Sequence, residues 1–177
     1  MMEVFLMKAC HLPVWLVTIF LLSFLGLAID GQAANVQIEF DNPNRFTDFR
    51  IQGWTELDSA KIFSRDISNY LSPVVARRFP GATLTLHFTD IDLTGLNEQW
   101  RGPIFNNVRT VRGFTPLRLY FDYSITNGNG QVIAHGRENL VDVDFFYRYA
   151  YLQGQQRNSR LFYEAQDLSR WLRMLRE

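Results

Sequence analysis

The sequence predicts an α+β fold, a two-layer sandwich in which a mostly antiparallel sheet of about four to five strands carries two helices packed on one face. Three observations predict it. Apolar and polar residues alternate over Val36–Phe40, Thr83–Phe88 and Leu117–Ile125, the period of half-buried strands. Over 55–78 and again over 161–176 the apolar residues recur at three- and four-residue steps, the period of a helix with one buried stripe. Asn127-Gly128-Asn129-Gly130 accepts positive φ at little cost, so it joins its flanking strands as an antiparallel hairpin.

Taken in order, Val36–Phe40 is the first strand, ended by the turn residues Asp41-Asn42-Pro43-Asn44, and Phe46–Trp54 is a short extended piece. A helix follows from Thr55, with Ala60, Phe63, Ile67, Tyr70, Leu71 and Val74 on one face and Glu56 and Asp58 in the first turn, where acids suit the helix dipole. Pro73 is expected to kink or divide this helix, and Arg77, Arg78 and Pro80-Gly81 to end it. Thr83–Phe88 is the next strand, with Leu84, Leu86 and Phe88 inward. Leu96–Asn107 has no period and reads as a loop anchored by Trp100 and Phe105; Val108–Arg112 is a short strand. Leu117–Ile125 and Gln131–Val141 form the hairpin. Asp144–Ser159 reads as irregular or a short helix, and Leu161–Arg176 as the last helix.

The first 33 residues stand apart from this pattern. Lys8 precedes the uncharged run Leu12–Ala28, and small residues follow at Gly31 and Ala33. These are the parts of a secretory signal peptide, with cleavage expected after Ala33; an uncleaved inner-membrane anchor is the alternative. The mature chain, 34–177, is then expected to be one periplasmic domain. Cys10 is the sole cysteine and precedes the apolar run, so the mature chain has no disulfide, thiol nucleophile or thiolate ligand. A formal net charge of +0 gives no bulk attraction for nucleic acid. Beyond the leader the cations are 16 arginines and the single Lys61, a choice that suits bidentate contacts to carboxylates.

Several segments together resemble the exported bacterial family DUF3016, a domain of unknown function. They are Asp41-x-Pro43-x-x-Phe46-Thr47-Asp48, Phe79-Pro80-Gly81, Thr89-Asp90-Ile91-Asp92-Leu93-x-Gly95, Val108-Arg109 leading to Pro116, and Tyr163-Glu164 with Trp171. The family tends to place a lysine after the late Tyr-Glu, and here Ala165 stands there. The resemblance implies an exported one-domain protein and supplies no activity.

Two groups of residues are candidates for function. Asp90 and Asp92 at i and i+2 of a strand share a face about 6.5–7 Å apart, a spacing that suits a divalent cation or an acid/base pair. Asp48, Asp142 or Asp144 are possible further ligands, and His87 and His135 possible partners. Strand parity argues for structure instead. Continuing the face of Leu84, Leu86 and Phe88 would bury both aspartates, at several kcal/mol if unpaired. A bulge or turn near Thr89 that ends the strand relieves this, leaving one aspartate to cap amides or pair Arg109, Arg112 or Arg118. Ser64, Ser68 and Ser72 sit along a helix without the strand–turn–helix elbow of a nucleophile. The second group is Tyr147, Arg148, Tyr149 and Tyr151, in an aromatic run that suits an interface core. The expectation is a binding or assembly module without cofactor or metal, whose partner is a protein or envelope component. The alternative is a hydrolase-like enzyme using Asp90, Asp92 and His87 or His135.

Overall fold

A computed structural model describes residues 35–105, 108–152 and 160–175. The expected signal segment and part of the 144–159 run lie outside the described residues. β1 (Asn35–Phe40) leads through a 3-10 turn at Pro43–Arg45 to α1 (Glu56–Arg78) and β2 (Thr83–Asp92). β3 (Leu96–Asn97) and β4 (Arg109–Thr110) are two residues each. β5 (Leu117–Thr126), β6 (Val132–Asp142), α2 (Phe145–Arg148) and α3 (Phe162–Met174) complete the order. The class is α+β as predicted, with a four-stranded sheet in the order β1-β2-β5-β6 and a separate β3-β4 pair.

β2-β5 and β5-β6 are antiparallel, but β1 runs parallel to β2. The crossover is α1, which the sequence places between them, and a helical crossover is what a parallel pair requires. The Thr55 hydroxyl caps α1 by accepting from Asp58 N–H at 3.1 Å. The helix runs unbroken through Pro73, contrary to a division there. Pro73 lies on the exposed side of the helix, and the missing N–H leaves one carbonyl to solvent. Gly130, at φ +78, closes the β5-β6 hairpin.

The core has an aromatic centre. Phe88 and Phe121 are cross-strand partners, with ring centroids 5.3 Å apart. Phe63 of α1 meets Phe88 edge-on at 5.2 Å, and Trp171 of α3 meets Phe121 at 5.0 Å. Offset and edge-to-face pairs of this kind add about 0.5–1.5 kcal/mol beyond their buried area. Trp100, expected as a loop anchor, is 72% exposed. The β3-β4 pairing and the ion pairs of Glu98 with Arg101 and Arg112 hold that segment instead. Among the described residues, no helix is long and apolar enough to cross a membrane.

Candidate functional site

At Thr89 the register of β2 against β5 shifts between Phe88 and Asp90. This bulge reverses the faces as parity requires: Leu84, Leu86 and Phe88 are buried before it, and Ile91 and Leu93 after it. The strand does not end there. Its pairing resumes through Asp92↔Arg118, because one extra residue corrects the parity without giving up the ladder.

Both aspartates are satisfied from within the fold. Asp90 Oδ1 accepts the Thr47 amide at 2.7 Å and the Ile91 amide at 2.9 Å, and Oδ2 accepts the Thr47 hydroxyl at 2.7 Å. Asp92 pairs with Arg118 at 2.7 Å. His87 Nε2 lies 2.9 Å from Asp41 Oδ1. His135 of β6 pairs in register with Ser124 of β5, whereas His87 is level with Asp122 on the other side of β5, so two strand spacings and two residues of rise put them about 12 Å apart. The four residues of the acid/base set are therefore not gathered at one place. Among the described residues, no group of three or more His, Cys, Asp or Glu is arranged to hold a metal ion. Asp90→Ala removes the acceptor of three donors. We expect it to lower stability by about 1–3 kcal/mol in urea unfolding; an unchanged midpoint would contradict the structural role.

Asp48, beside Asp92 in an isolated parallel bridge, is tied to Arg109. Arg109 donates to both Asp48 oxygens at 3.1 and 2.7 Å. It also donates to the carbonyls of Thr94 at 2.6 Å, Leu93 at 2.8 Å, Gly95 at 3.1 Å and Arg50 at 3.2 Å. Its side chain is 10% exposed. Gly95 permits this closeness: at φ +82 its chain passes so near β4 that a Cβ there would lie 2.6 Å from the Thr110 carbonyl oxygen. Glu164 of α3 completes the arrangement. Its Oε1 accepts the Thr94 amide at 3.0 Å and the Thr94 hydroxyl at 2.9 Å. Burial pushes the Glu164 carboxyl above the usual range, against the downward pull of its own amide, Thr94 and Arg109. Thr94, Arg109 and Glu164 line a cleft of about 160 Å³. By sequence Arg109 is one of three candidate aspartate partners; its four carbonyl contacts lie in loops whose course the sequence does not show.

The aromatic run divides in two. Tyr147 and Tyr151 are each 75% exposed, while Tyr149 is buried and donates from its hydroxyl to Asp167 Oδ1 at 2.8 Å. Arg148 bonds the buried Asp142 through Nε at 3.0 Å and through its terminal nitrogen at 3.2 Å. Tyr149 is thus committed to the fold, since it follows the short α2 and its ring turns under toward α3, while Arg148 bonds a buried acid and stays exposed itself. Arg170 lies 3.4 Å from Asp142 and 3.1 Å from Asp167, and Asp142 also accepts the Asp144 amide at 2.8 Å. Gly113 packs against the rings of Phe146 and Tyr147; its neighbour Phe114 is 69% exposed, under Arg112.

Burial, reinforced by the neighbouring Asp142 charge, pushes the Asp167 carboxyl up to about 6. Asp142 moves the other way, because its bonds to Arg148 and to the Asp144 amide outweigh its burial. The two shifts have opposite linkage. Between about pH 4 and pH 6 the unfolded chain has lost the Asp167 proton that the fold retains, so stability falls as pH rises through that window. The Asp142 contribution is present above its ordinary pKa and is lost as pH falls below it. We expect Asp167→Asn to remove a decline on the order of 1–2 kcal/mol between pH 4 and 6. Parallel pH profiles of the two proteins in thermal unfolding would contradict this.

A search of curated proteins finds no match to the chain. The family model described as "Protein of unknown function (DUF3016)" matches residues 34–174, and the bulge aspartates, Asp48, Gly95, Arg109 and Glu164 all fall inside that span. The chain belongs to the DUF3016 family.

Proposed function

We propose that the protein is an exported periplasmic binding or assembly module whose contact surface centres on Tyr147. One observation carries the reading. Tyr147 stands exposed against Gly113, next in the chain to the exposed Phe114, while the exposed Arg148 and the buried Tyr149 that follow it are bonded to buried acids. Large exposed rings on a rigid base are characteristic of contact surfaces, since they bury much area with little loss of conformational freedom. Val143 and Tyr151, close to Tyr147 in the chain, are exposed as well. The partner is a protein or envelope component. Export rests on the leader's sequence pattern, with the mature chain starting at Ala34.

The test is photocrosslinking in living cells, with a benzophenone side chain placed at Tyr147, at Phe114 or, as a control on α1, at Lys61. Adducts of one defined mass at the first two positions and none at Lys61 are expected, in a periplasmic protein whose intact mass begins at Ala34. No adduct at Tyr147, or the same adducts from Lys61, would overturn the reading.

A further inference from the structure

The cleft at the start of α3 has features that the Tyr147 surface does not use. Glu164 is 1% exposed, and while its Oε1 is saturated by Thr94, its Oε2 has no partner. Buried polar atoms are nearly always hydrogen-bonded, so an orphan oxygen on a residue that lines a cleft points to a ligand atom. Leu161 occupies the N-cap of α3 and supplies no side-chain acceptor, so the first turn presents amides and the positive end of the helix dipole at this place. Arg160 stands exposed at the mouth and Arg109 forms part of the wall. The donors of Arg109 are committed to Asp48 and four carbonyls. Ile51, Leu161 and Phe162 supply apolar walls. Gln52, also lining the cleft, is the one non-glycine residue at positive φ among the described residues, at +41°. Strain of that kind gathers at functional sites.

We infer that this cleft binds a short-chain monocarboxylate, its carboxylate between the Glu164 carboxyl, the first-turn amides of α3 and Arg160, and its alkyl chain against Ile51 and Phe162. The cleft, about 160 Å³, has room for several waters and so for a small organic acid. The positive end of α3 and the exposed Arg160 favour an anion, while the charge of Arg109 is offset by Asp48. Burial raises the pKa of the Glu164 carboxyl, and in its protonated form that carboxyl donates to the anion from the orphan oxygen, a charge-assisted bond of the stronger kind. The charged and titratable groups around Glu164 are Arg109 of β4, Asp48 on its far side, Arg160 before the helix and the adjoining Tyr163.

The probe is sodium butyrate, titrated into the whole mature protein and followed through amide chemical shifts. Saturable shifts are expected at Thr94, Phe162 and Glu164, with affinity falling as pH rises. Glu164→Gln, which keeps a donor, should bind with little pH dependence, and Arg160→Ala should weaken binding about tenfold without loss of stability. Tyr147→Ala should bind as the unaltered protein does, which separates this site from the proposed contact surface. Absence of saturable shifts, undiminished binding by Arg160→Ala, or affinity for propylammonium in place of butyrate would each overturn the inference. Glu164→Ala is a weaker test, since it also removes the acceptor of Thr94.

Discussion

Arg109→Ala is expected to cost about 3–5 kcal/mol, among the largest losses from any polar substitution in this protein. The change strands the Asp48 carboxylate and the carbonyls of Arg50, Leu93, Thr94 and Gly95 together. Arg109→Lys should recover only a minor part, because an ammonium has three donors on one point and cannot span a carboxylate and carbonyls from two loops. Urea unfolding of both variants checks this. A loss below about 1 kcal/mol for Arg109→Ala would mean that the network contributes no more than an exposed ion pair.

The sequence foretold some of this arrangement because local rules applied to it. Leu84, Leu86 and Phe88 define a face, and the aspartates at 90 and 92 cannot share it, so a bulge or turn near Thr89 follows from parity, and the structure has the bulge. The same demand for satisfaction calls for amides or an arginine as partners; that Asp90 takes the amides and Asp92 takes Arg118 is decided by the tertiary structure. Continuation of the strand past the bulge depends on the partner strand β5, and a single segment cannot reveal it. The parallel β1 is likewise a tertiary choice, made by where α1 lays the chain down. In the aromatic run all the rings look alike in sequence. Their sorting into buried Tyr149 and exposed Tyr147 is decided by Asp167, eighteen residues away across a helix boundary. Glu164 was visible only as part of a family resemblance; its meeting with Thr94, seventy residues earlier, has no local signal.

Asp142→Ala is expected to cost about 2–3 kcal/mol and to weaken any contact made through Tyr147. Asp142 is 3% exposed in its side chain and joins β6, α2 and α3 by accepting from Arg148, Arg170 and the Asp144 amide. Its loss frees Arg148, which sits between Tyr147 and Tyr149 in the turn that presents the exposed ring. Asp142→Asn keeps an acceptor for the amide but not the charge, and should fall between the two. Unfolding by urea, combined with the crosslinking yield at Tyr147, measures both effects. Full crosslinking in a destabilised Asp142→Ala protein would separate the ion cluster from the contact surface.

The acids and the arginine of the family segments tie the fold together. A double-mutant cycle between Asp48 and Arg109, read by urea unfolding, tests it most directly. Strong coupling is expected, on the order of 2–3 kcal/mol, with Asp48→Ala adding little once Arg109 is alanine. Additive losses from the two substitutions would contradict it.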